Sequence, residues 1–457
     1  MTAAQPPPPV GTRFPLLRRP EYVRFWAADT VSMFGTYVTS VALAVLAVAD
    51  LGASGTEVGL LNAARWLPYL LFGLLAGAMV DRYRRLPILV GADLGRAALL
   101  GVIPLMAALD RLTMPLLIGL IAAFGALSLV YDAAHQSFLP RLVPHRLLTE
   151  ANVRLEQTSA VAQTTGPLLA GWLIKIIGAP LAILVDAVSY LVSGLLLATL
   201  RTPESVDHGQ PRNLRREVRE GLSWVYRHRI LAPLSITSHA WFLFNSMVTT
   251  VYVLFVIDEL GIDAFGLGLT YTLSGVGAVL GATVAGRLGL RFGVGPTITA
   301  CRWLTPVGYV LIPLVESGTV AMDLLCAAQF VFGVSIGIDS PIELAYRQVV
   351  TPDRLLGRMN ATMRSMNRGA IVLGAPIGGI LADALGNRTA LWIAVAGLFG
   401  QAIAITASPF RNATLPPSTD LSRLPDTPET PDTGDRHAGH TRPERRTRAT
   451  ETPDTRG

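Results

Sequence analysis

Long, continuous apolar runs constrain this chain more than any other feature of its sequence. Twelve runs follow one another, each near the roughly 20 residues that an α-helix needs to cross a bilayer. They do not alternate between apolar and polar residues, which excludes a β-barrel. The sequence therefore predicts an all-α integral membrane protein with twelve transmembrane helices. The runs cover residues 25–48, 57–80, 87–108, 113–134, 153–177, 180–200, 231–257, 265–289, 295–315, 319–340, 358–383 and 388–408.

The composition favours a membrane protein over a soluble one. Of the 457 residues, 51% are hydrophobic and only 15% are charged. A soluble chain would carry about a quarter charged residues. The formal net charge is +6, but the basic residues occur as short clusters in loops, which argues against a nucleic acid as partner. Cys301 and Cys326 lie in apolar runs and fit neither a disulfide framework nor a metal site.

The placement of arginines predicts how the chain crosses the membrane. Arginine clusters occur in alternate loops, whereas the other loops offer little beyond Arg111 and Arg388. Because basic loops remain in the cytoplasm, we expect both termini there, with the protein in the cell (plasma or inner) membrane. Residues 1–22 and 409–457 are rich in proline and polar residues, and we expect them to be disordered.

An internal repeat divides the apolar runs into two sets of six. An offset of 208 residues relates Asn152 to Asn360 and Gly171 to Gly379. The repeat predicts two pseudo-symmetric halves with the substrate site between them. The halves span residues 23–200 and 230–408, and the cytoplasmic connection spans 201–229. Apolar residues at 218, 222 and 225 predict an amphipathic helix within this connection, lying on the membrane surface.

A short charged hairpin joins the second and third runs. Gly77 allows two helices to approach closely, and Arg82 and Arg85 mark the cytoplasmic side. Asp81 is not needed for topology, which indicates a functional role, although a plain positive-inside loop is the alternative. It can pair with Arg85 one turn later or accept hydrogen bonds from the N-terminus of another helix.

This hairpin resembles the loop signature of the major facilitator superfamily, in its twelve-span drug- and metabolite-exporter-like branch. The family signature reads Gly-x-x-x-Asp-Arg followed by small and basic residues; Arg84 stands where the family has a second glycine. The resemblance covers about residues 20–408 and implies transport by alternating access. It also implies a gate in which Asp81 holds the two halves together on the cytoplasmic side, at the start of the eleventh helix near Arg358.

Proline and glycine interrupt the fifth and eleventh runs at matching places. Gly166 and Pro167 lie in the fifth run, and Gly374 and Pro376 lie in the eleventh. The first pair partly resembles the fifth-helix signature of drug antiporters. Proline removes a backbone hydrogen bond and glycine permits close packing, so these residues predict either a bend or a tight contact between helices.

Charged residues inside apolar runs must face a cavity, a partner or an interface. Asp93 and Arg96 are three residues apart and are predicted to pair. Arg65 needs an acidic partner, for which Asp29 and Asp186 are the candidates. A buried, unpaired carboxylate can exchange protons near neutral pH. Proton-carrier or substrate-cavity candidates are Asp29, Arg65, Asp93, Arg96, Glu156 and Asp186, with Arg302 a further charge in the ninth run.

These features predict a secondary active transporter. The sequence contains no Walker-type loop, no catalytic pattern and no cofactor-binding or metal-ligating motif, so we expect a non-enzymatic protein driven by the proton gradient. Proton-coupled efflux of small amphipathic compounds, by a monomer in the lipid bilayer, is the leading interpretation. A nutrient uptake symporter or facilitator is an alternative, and a non-transporting membrane sensor is a third.

Overall fold

The computed structural model describes residues 16–80, 83–201 and 214–414, which all belong to one compact unit. This part of the chain is helical and contains no strand. Ten of its helices are long and apolar enough to cross a membrane by length and composition. Two further elements, α2 and the pair α10–α11, complete the twelve crossings that the apolar runs predict.

The helices follow the two halves of the repeat. The first half contains α1 (Pro20–Val45), α2 (Gly55–Val80), α3 (Arg85–Ala108), α4 (Met114–Leu142), α5 (Leu148–Ile177) and α6 (Ala179–Ala198). A separate helix, α7 (Leu214–Arg227), precedes the second half. The second half contains α8 (Leu231–Leu254), α9 (Ala264–Phe292), α10 (Val294–Tyr309), α11 (Leu311–Leu314), α12 (Ala321–Val350), α13 (Asp353–Leu385) and α14 (Asn387–Ala407).

Several helices are longer than their apolar runs, and one is interrupted. Helix α4 ends at Leu142 instead of 134, and α12 ends at Val350 instead of 340, because both continue as polar turns with an arginine near the C-terminus. Pro313 separates α11 from α10, since its ring lacks an N–H and would clash with the carbonyl group four residues earlier.

The two ends of the helix bundle differ in charge. We call one the basic end; it contains the start of α1, the helix α7 and the connections after α2, α4, α9 and α12. The other, the opposite end, contains the connections after α1, α3, α5, α8, α11 and α13. Arginine residues concentrate at the basic end. This agrees with the sequence prediction that the arginine-rich loops all lie on one side of the membrane.

The packed part of the chain extends beyond the predicted boundaries at both its N-terminal and its C-terminal side. Leu16 is fully buried, so the packed chain begins before residue 22. Phe410 is also fully buried and packs edge-on against Tyr346, and the Gly295 amide donates to the Ala413 carbonyl at 2.9 Å. Residues 409–414 are therefore part of the packed structure, because one aromatic side chain and a backbone hydrogen bond hold them.

Glycines set the contacts between the two halves. Helix α2 packs along α13, and α5 packs along α9. At the opposite end, the backbone of Gly55 lies against that of Gly379. A Cβ atom on either residue would collide with the backbone of the other helix. Gly171 meets the backbone at Ala264 in the same way. Only glycine allows helices to approach to this distance in a membrane.

The amphipathic helix predicted in the connection is α7, and it packs on the second half. Val225 is fully buried in an apolar cluster that includes Leu231, Met359 and Met363. Gly221 lies against the backbone of Arg358. The helix therefore contacts α13 and α8 rather than lying on lipid alone.

A single added methyl group at Gly333 should destabilise the second half. A Cβ atom there would collide with the carbonyl oxygen of Ser274 on α9. We expect Gly333→Ala to lower the free energy of unfolding by about 1–3 kcal/mol, since overpacking costs this much. The measurement is thermal unfolding of the purified protein in detergent. Gly119→Ala is the control, because nothing lies within 4 Å of that position; equal behaviour of the two variants would contradict the packing argument.

Candidate functional site

Asp93 and Arg96 form a buried ion pair on α3, at the spacing that the sequence predicts. The Ser193 hydroxyl on α6 donates to the second oxygen of Asp93 at 2.6 Å. The Arg96 guanidinium lies between two aromatic rings, 4.0 Å from the centroid of Tyr131 and 4.3 Å from that of Tyr190. These contacts enclose the pair among α3, α4 and α6, so its main effect is to hold three helices together.

Asp29 on α1 contacts a histidine that the sequence analysis did not single out. Nε2 of His135 on α4 lies 3.1 Å from Oδ1 of Asp29. The imidazole stacks on Phe25, with ring centroids 5.0 Å apart, and on Tyr131 at 5.6 Å. His135 was not predicted as a site residue because the fourth apolar run ends one residue before it.

Asp186 has no cationic partner within the described part of the chain. The carboxylate on α6 is fully buried, accepts a hydrogen bond from Ser189 at 2.9 Å and abuts Gly35 of α1. Asp186 is thus a fully buried acid of the described first half that forms no ion pair.

The expectation that Arg65 pairs with Asp29 or Asp186 is wrong. Its guanidinium donates to the Ser40 hydroxyl on α1 at 3.0 Å, and no ion pair joins it to either acid. Ser40 is eleven residues beyond Asp29 on the same helix, which separates them by about 16 Å along the axis. Arg65 therefore lies too far toward the opposite end to reach Asp29.

The second half contains its own buried charge cluster, centred on Arg302 of α10. The guanidinium lies 3.0 Å from Asp339 and 2.5 Å from Glu343, both on α12. It also donates to the Ser238 hydroxyl on α8 at 3.1 Å. Arg347 lies 3.3 Å from Glu343, one turn along α12. Two arginines and two acids therefore balance in formal charge and link α8, α10 and α12.

Glu343 was missed because the tenth apolar run was ended at residue 340, and Asp339, one residue inside that end, was not counted among the charges within the runs. The available signal was the four-residue spacing of Asp339, Glu343 and Arg347, which places all three on one helical face.

The two clusters occupy equivalent positions in the repeat. Ser238, Arg302 and Glu343 follow Asp29, Asp93 and His135 by 209, 209 and 208 residues. Each set comes from the first, third and fourth membrane-spanning helices of its half. The charges are exchanged between the halves: a carboxylate in the first half stands where the second has a guanidinium, and an imidazole where the second has a carboxylate.

A cavity of about 330 Å³ lies between the halves, toward the basic end. Helices α2, α4 and α13 line it. The Tyr69 hydroxyl donates to Asp132 at 2.7 Å. From α13, Arg364 and Arg368 line the cavity, and the Arg368 guanidinium lies 3.7 Å from the ring centroid of Trp66. A cavity of this size, with aromatic and charged groups at the domain interface, is a typical small-molecule site.

Glu156 lies on the exposed surface of α5, whose helix begins at Leu148, before the predicted start of 153. It precedes Arg364 by 208 residues and so holds the equivalent position in the first half. Glu156 is not among the described residues that line the cavity.

Of the predicted gating residues, Arg358 has a clear role in the structure. It pairs with Glu217 at 3.6 Å and forms a second, shorter contact with Glu220, both on α7. Trp224 of α7 also donates to Thr351 at 3.2 Å. Gly77 lies in the last turns of α2, and Arg85 begins α3 as a buried residue. Asp81 and Arg82 lie outside the described residues, so the Asp81 gate stays a prediction.

A carboxylate caps a helix across the interface at the opposite end. Asp383 of α13 accepts hydrogen bonds from the Gly55 amide at 2.6 Å, the Thr56 amide at 2.8 Å and the Thr56 hydroxyl at 2.5 Å. These groups form the first turn of α2, where amide hydrogens lack helical partners and negative charge is favoured. This is the kind of contact predicted for Asp81, made at the other end of the same pair of helices.

The glycine–proline positions lie at close contacts within continuous helices. Helix α5 runs unbroken through Pro167, and α13 runs unbroken through Pro376. Gly166 faces the Tyr37 side chain, and Gly374 faces the backbone at Leu243. Close packing therefore accounts for both glycines.

Two six-helix halves related by a repeat, a cavity between them and a charge cluster inside each define a multi-pass transporter of the major facilitator class. A family model described as transmembrane secretion effector matches residues 11–429, and the chain belongs to this family.

Several relatives are similar to this chain in sequence, and solved transporter structures share its fold. Macrolide efflux protein A of Streptococcus pyogenes is 22% identical over 389 residues, covering 84% of this chain and 94% of the relative. Multidrug efflux pump Tap of Mycobacterium tuberculosis is 26% identical over 414 residues, covering 87% and 95%. The nucleoside transporter NupG has a TM-score of 0.69 at 12% identity, covering 85% and 98%. A bacterial homologue of the lysosomal transporter Spinster, in an inward-facing state, has a TM-score of 0.65 at 15% identity, covering 86% and 97%.

Removing the Arg358 side chain should detach α7. The hydrogen bond from Arg216, reinforced by Arg358, holds the pKa of Glu220 below its ordinary value. A lowered pKa means that the folded state favours the charged form of Glu220. The attachment of α7 to α13 should therefore persist as the pH falls from neutral past the ordinary glutamate pKa, and it should weaken only in stronger acid. We expect Arg358→Ala to speed hydrogen exchange of residues 214–227 at neutral pH.

The control is Arg411→Ala, which removes an exposed arginine from the turn after α14. Unchanged exchange of α7 in Arg358→Ala, together with normal unfolding, would show that the ion pairs contribute nothing to its docking.

Proposed function

We propose that this protein is a proton-coupled secondary transporter that exports small amphipathic compounds by alternating access, as a monomer with both termini in the cytoplasm. The observation that carries the proposal is that the interface between the halves is closed at one end and holds a cavity toward the other. At the opposite end, glycine contacts and the Asp383 cap close it. The cavity lies on the other side of this closure, toward the basic end. Such an arrangement corresponds to one of the two states that alternating access requires.

The direction of transport is supported by the relatives, which are named as efflux proteins and match nearly the whole chain. The orientation is supported by the arginines at the basic end, which the positive-inside rule places in the cytoplasm. A cavity that opens to the cytoplasm loads substrate from the cell interior, as export requires.

The contact between Asp29 and His135 is our proposed proton-coupling site. Histidine is the side chain whose protonation ordinarily changes near neutral pH, and a neighbouring carboxylate stabilises the protonated form. The two residues come from α1 and α4, so a relative movement of these helices would alter their 3.1 Å separation and thereby the affinity for the proton. Asp186, buried and without a cationic partner among the described residues, is the alternative carrier.

The test of export uses everted membrane vesicles from cells that overproduce the chain. An imposed gradient, acidic inside the vesicle, should drive accumulation of a fluorescent substrate, and a protonophore should abolish it. Vesicles from empty-vector cells are the control. Accumulation that requires the reverse gradient would indicate uptake into the cell, and its absence for every compound of a chemically broad dye panel would contradict transport.

Neutralising the proton site should separate coupling from substrate movement. We expect Asp29→Asn and His135→Gln each to lose accumulation driven by the pH gradient while keeping substrate exchange across vesicles at equal pH. Asp186→Asn is the comparison that tests the alternative carrier. Full gradient-driven accumulation in both Asp29→Asn and His135→Gln would rule out coupling through this pair.

A further inference from the structure

The cavity between the halves carries an excess of positive charge. Arg364 and Arg368 line it from α13, and Asp132 is the one carboxylate among its described lining residues. That carboxylate already accepts a hydrogen bond from Tyr69 at 2.7 Å. The remaining polar groups, such as Ser137 and Ser365, are uncharged.

Neither cavity arginine forms an ion pair with an acidic side chain of the described residues. Across the described residues, no carboxylate oxygen lies within 4.0 Å of the guanidinium of Arg364 or Arg368. This differs from Arg96, Arg302 and Arg358, each of which has an acidic partner. Arg364 is exposed and Arg368 is half-buried. A cation held inside a membrane protein without an ionic partner, as Arg368 is among the described residues, is costly and marks a substrate or ion pathway.

The position of Arg368 leaves its hydrogen-bond donors available. Its guanidinium lies over the face of Trp66, 3.7 Å from the ring centroid. A guanidinium stacked in this way keeps its N–H groups at the edge, where they can bind a carboxylate, sulfonate or phosphate with two parallel hydrogen bonds. Leu129, Ala133 and Ala361 supply an apolar surface beside it.

We propose that this cavity selects compact amphipathic compounds that carry an anionic group on an apolar, ring-containing body. The proposal rests on the proposed function, whose substrate class it narrows. The anionic group lies between Arg364 and Arg368, and the apolar body lies on the α4 side. A cationic compound of the same shape is disfavoured, because it would place like charges together beside Arg364 and Arg368.

The test is equilibrium binding of two dyes that share a xanthene ring: fluorescein, which is anionic at neutral pH, and the cationic rhodamine 123. Fluorescence anisotropy is measured with the full chain, purified in detergent, with no gradient present. We expect fluorescein to bind more tightly than rhodamine 123. Arg364→Gln and Arg368→Gln should each raise the Kd for fluorescein by about tenfold to 100-fold, the loss of one charge-assisted contact.

Two further variants make the result specific. Arg368→Lys keeps the charge but not the planar donor edge, so it should recover part of the lost affinity for fluorescein. Arg411→Gln removes one positive charge outside the cavity and should leave both affinities unchanged. Thermal unfolding of each variant shows whether it is folded; if a glutamine variant is not, the dye comparison on the unaltered chain and Arg368→Lys still decide the outcome.

Three results would overturn the proposal: tighter binding of rhodamine 123 than of fluorescein, equal fluorescein affinity in the unaltered chain and both folded glutamine variants, or loss of fluorescein binding when phosphatidylglycerol replaces phosphatidylcholine in nanodiscs. The last result would assign the cavity to an anionic lipid headgroup instead. The binding assay needs no gradient, so it is independent of the vesicle assay. Tighter binding of the anionic dye without any accumulation in vesicles would contradict the proposed transport but not the substrate class. Accumulation of cationic dyes only would contradict the substrate class but not the transport.

Discussion

Pairing of buried charges is the interaction on which the arrangement of each half depends. A charge within the hydrocarbon layer is costly unless a partner compensates it, so the position of one arginine determines the positions of the helices that supply its partners. Arg96 fixes α3 against α4 and α6, and Arg302 fixes α10 against α8 and α12. These contacts hold three helices together in each half, while glycine contacts and the Asp383 cap join one half to the other.

The exchange of charges between the two clusters gives the halves different chemical properties in spite of their common fold. In the second half, two arginines face two carboxylates around Arg302. In the first half, the equivalent of Glu343 is His135, beside Asp29. Among the described residues, the first cluster contains an imidazole where the second has a carboxylate, and this difference is the reason why our proposed proton site lies in the first half.

The sequence predicted the class of fold and the local contacts, but not the contacts between distant helices. Apolar run length is sufficient for the former, and the three-residue spacing of Asp93 and Arg96 is sufficient for their pairing. Arg65 shows what the sequence does not predict. Its partner depends on how far along its helix each residue lies, and the hydrogen-bond acceptor is the Ser40 hydroxyl instead of an acid. His135, Asp339 and Glu343 were missed for a different reason. Each lies at or beyond the polar boundary of a run, where hydropathy ends although the helix continues.

The seam at the opposite end joins backbone to backbone, with Gly55 against Gly379 and little side-chain surface between them. A contact between bare backbones has no side-chain rotamers to reset when it parts. Separation there would break the three hydrogen bonds to Asp383 and the contact between Lys175 and Asp263. In the proposed transport cycle, this carboxylate and the glycine contacts together favour the conformation that is closed at the opposite end.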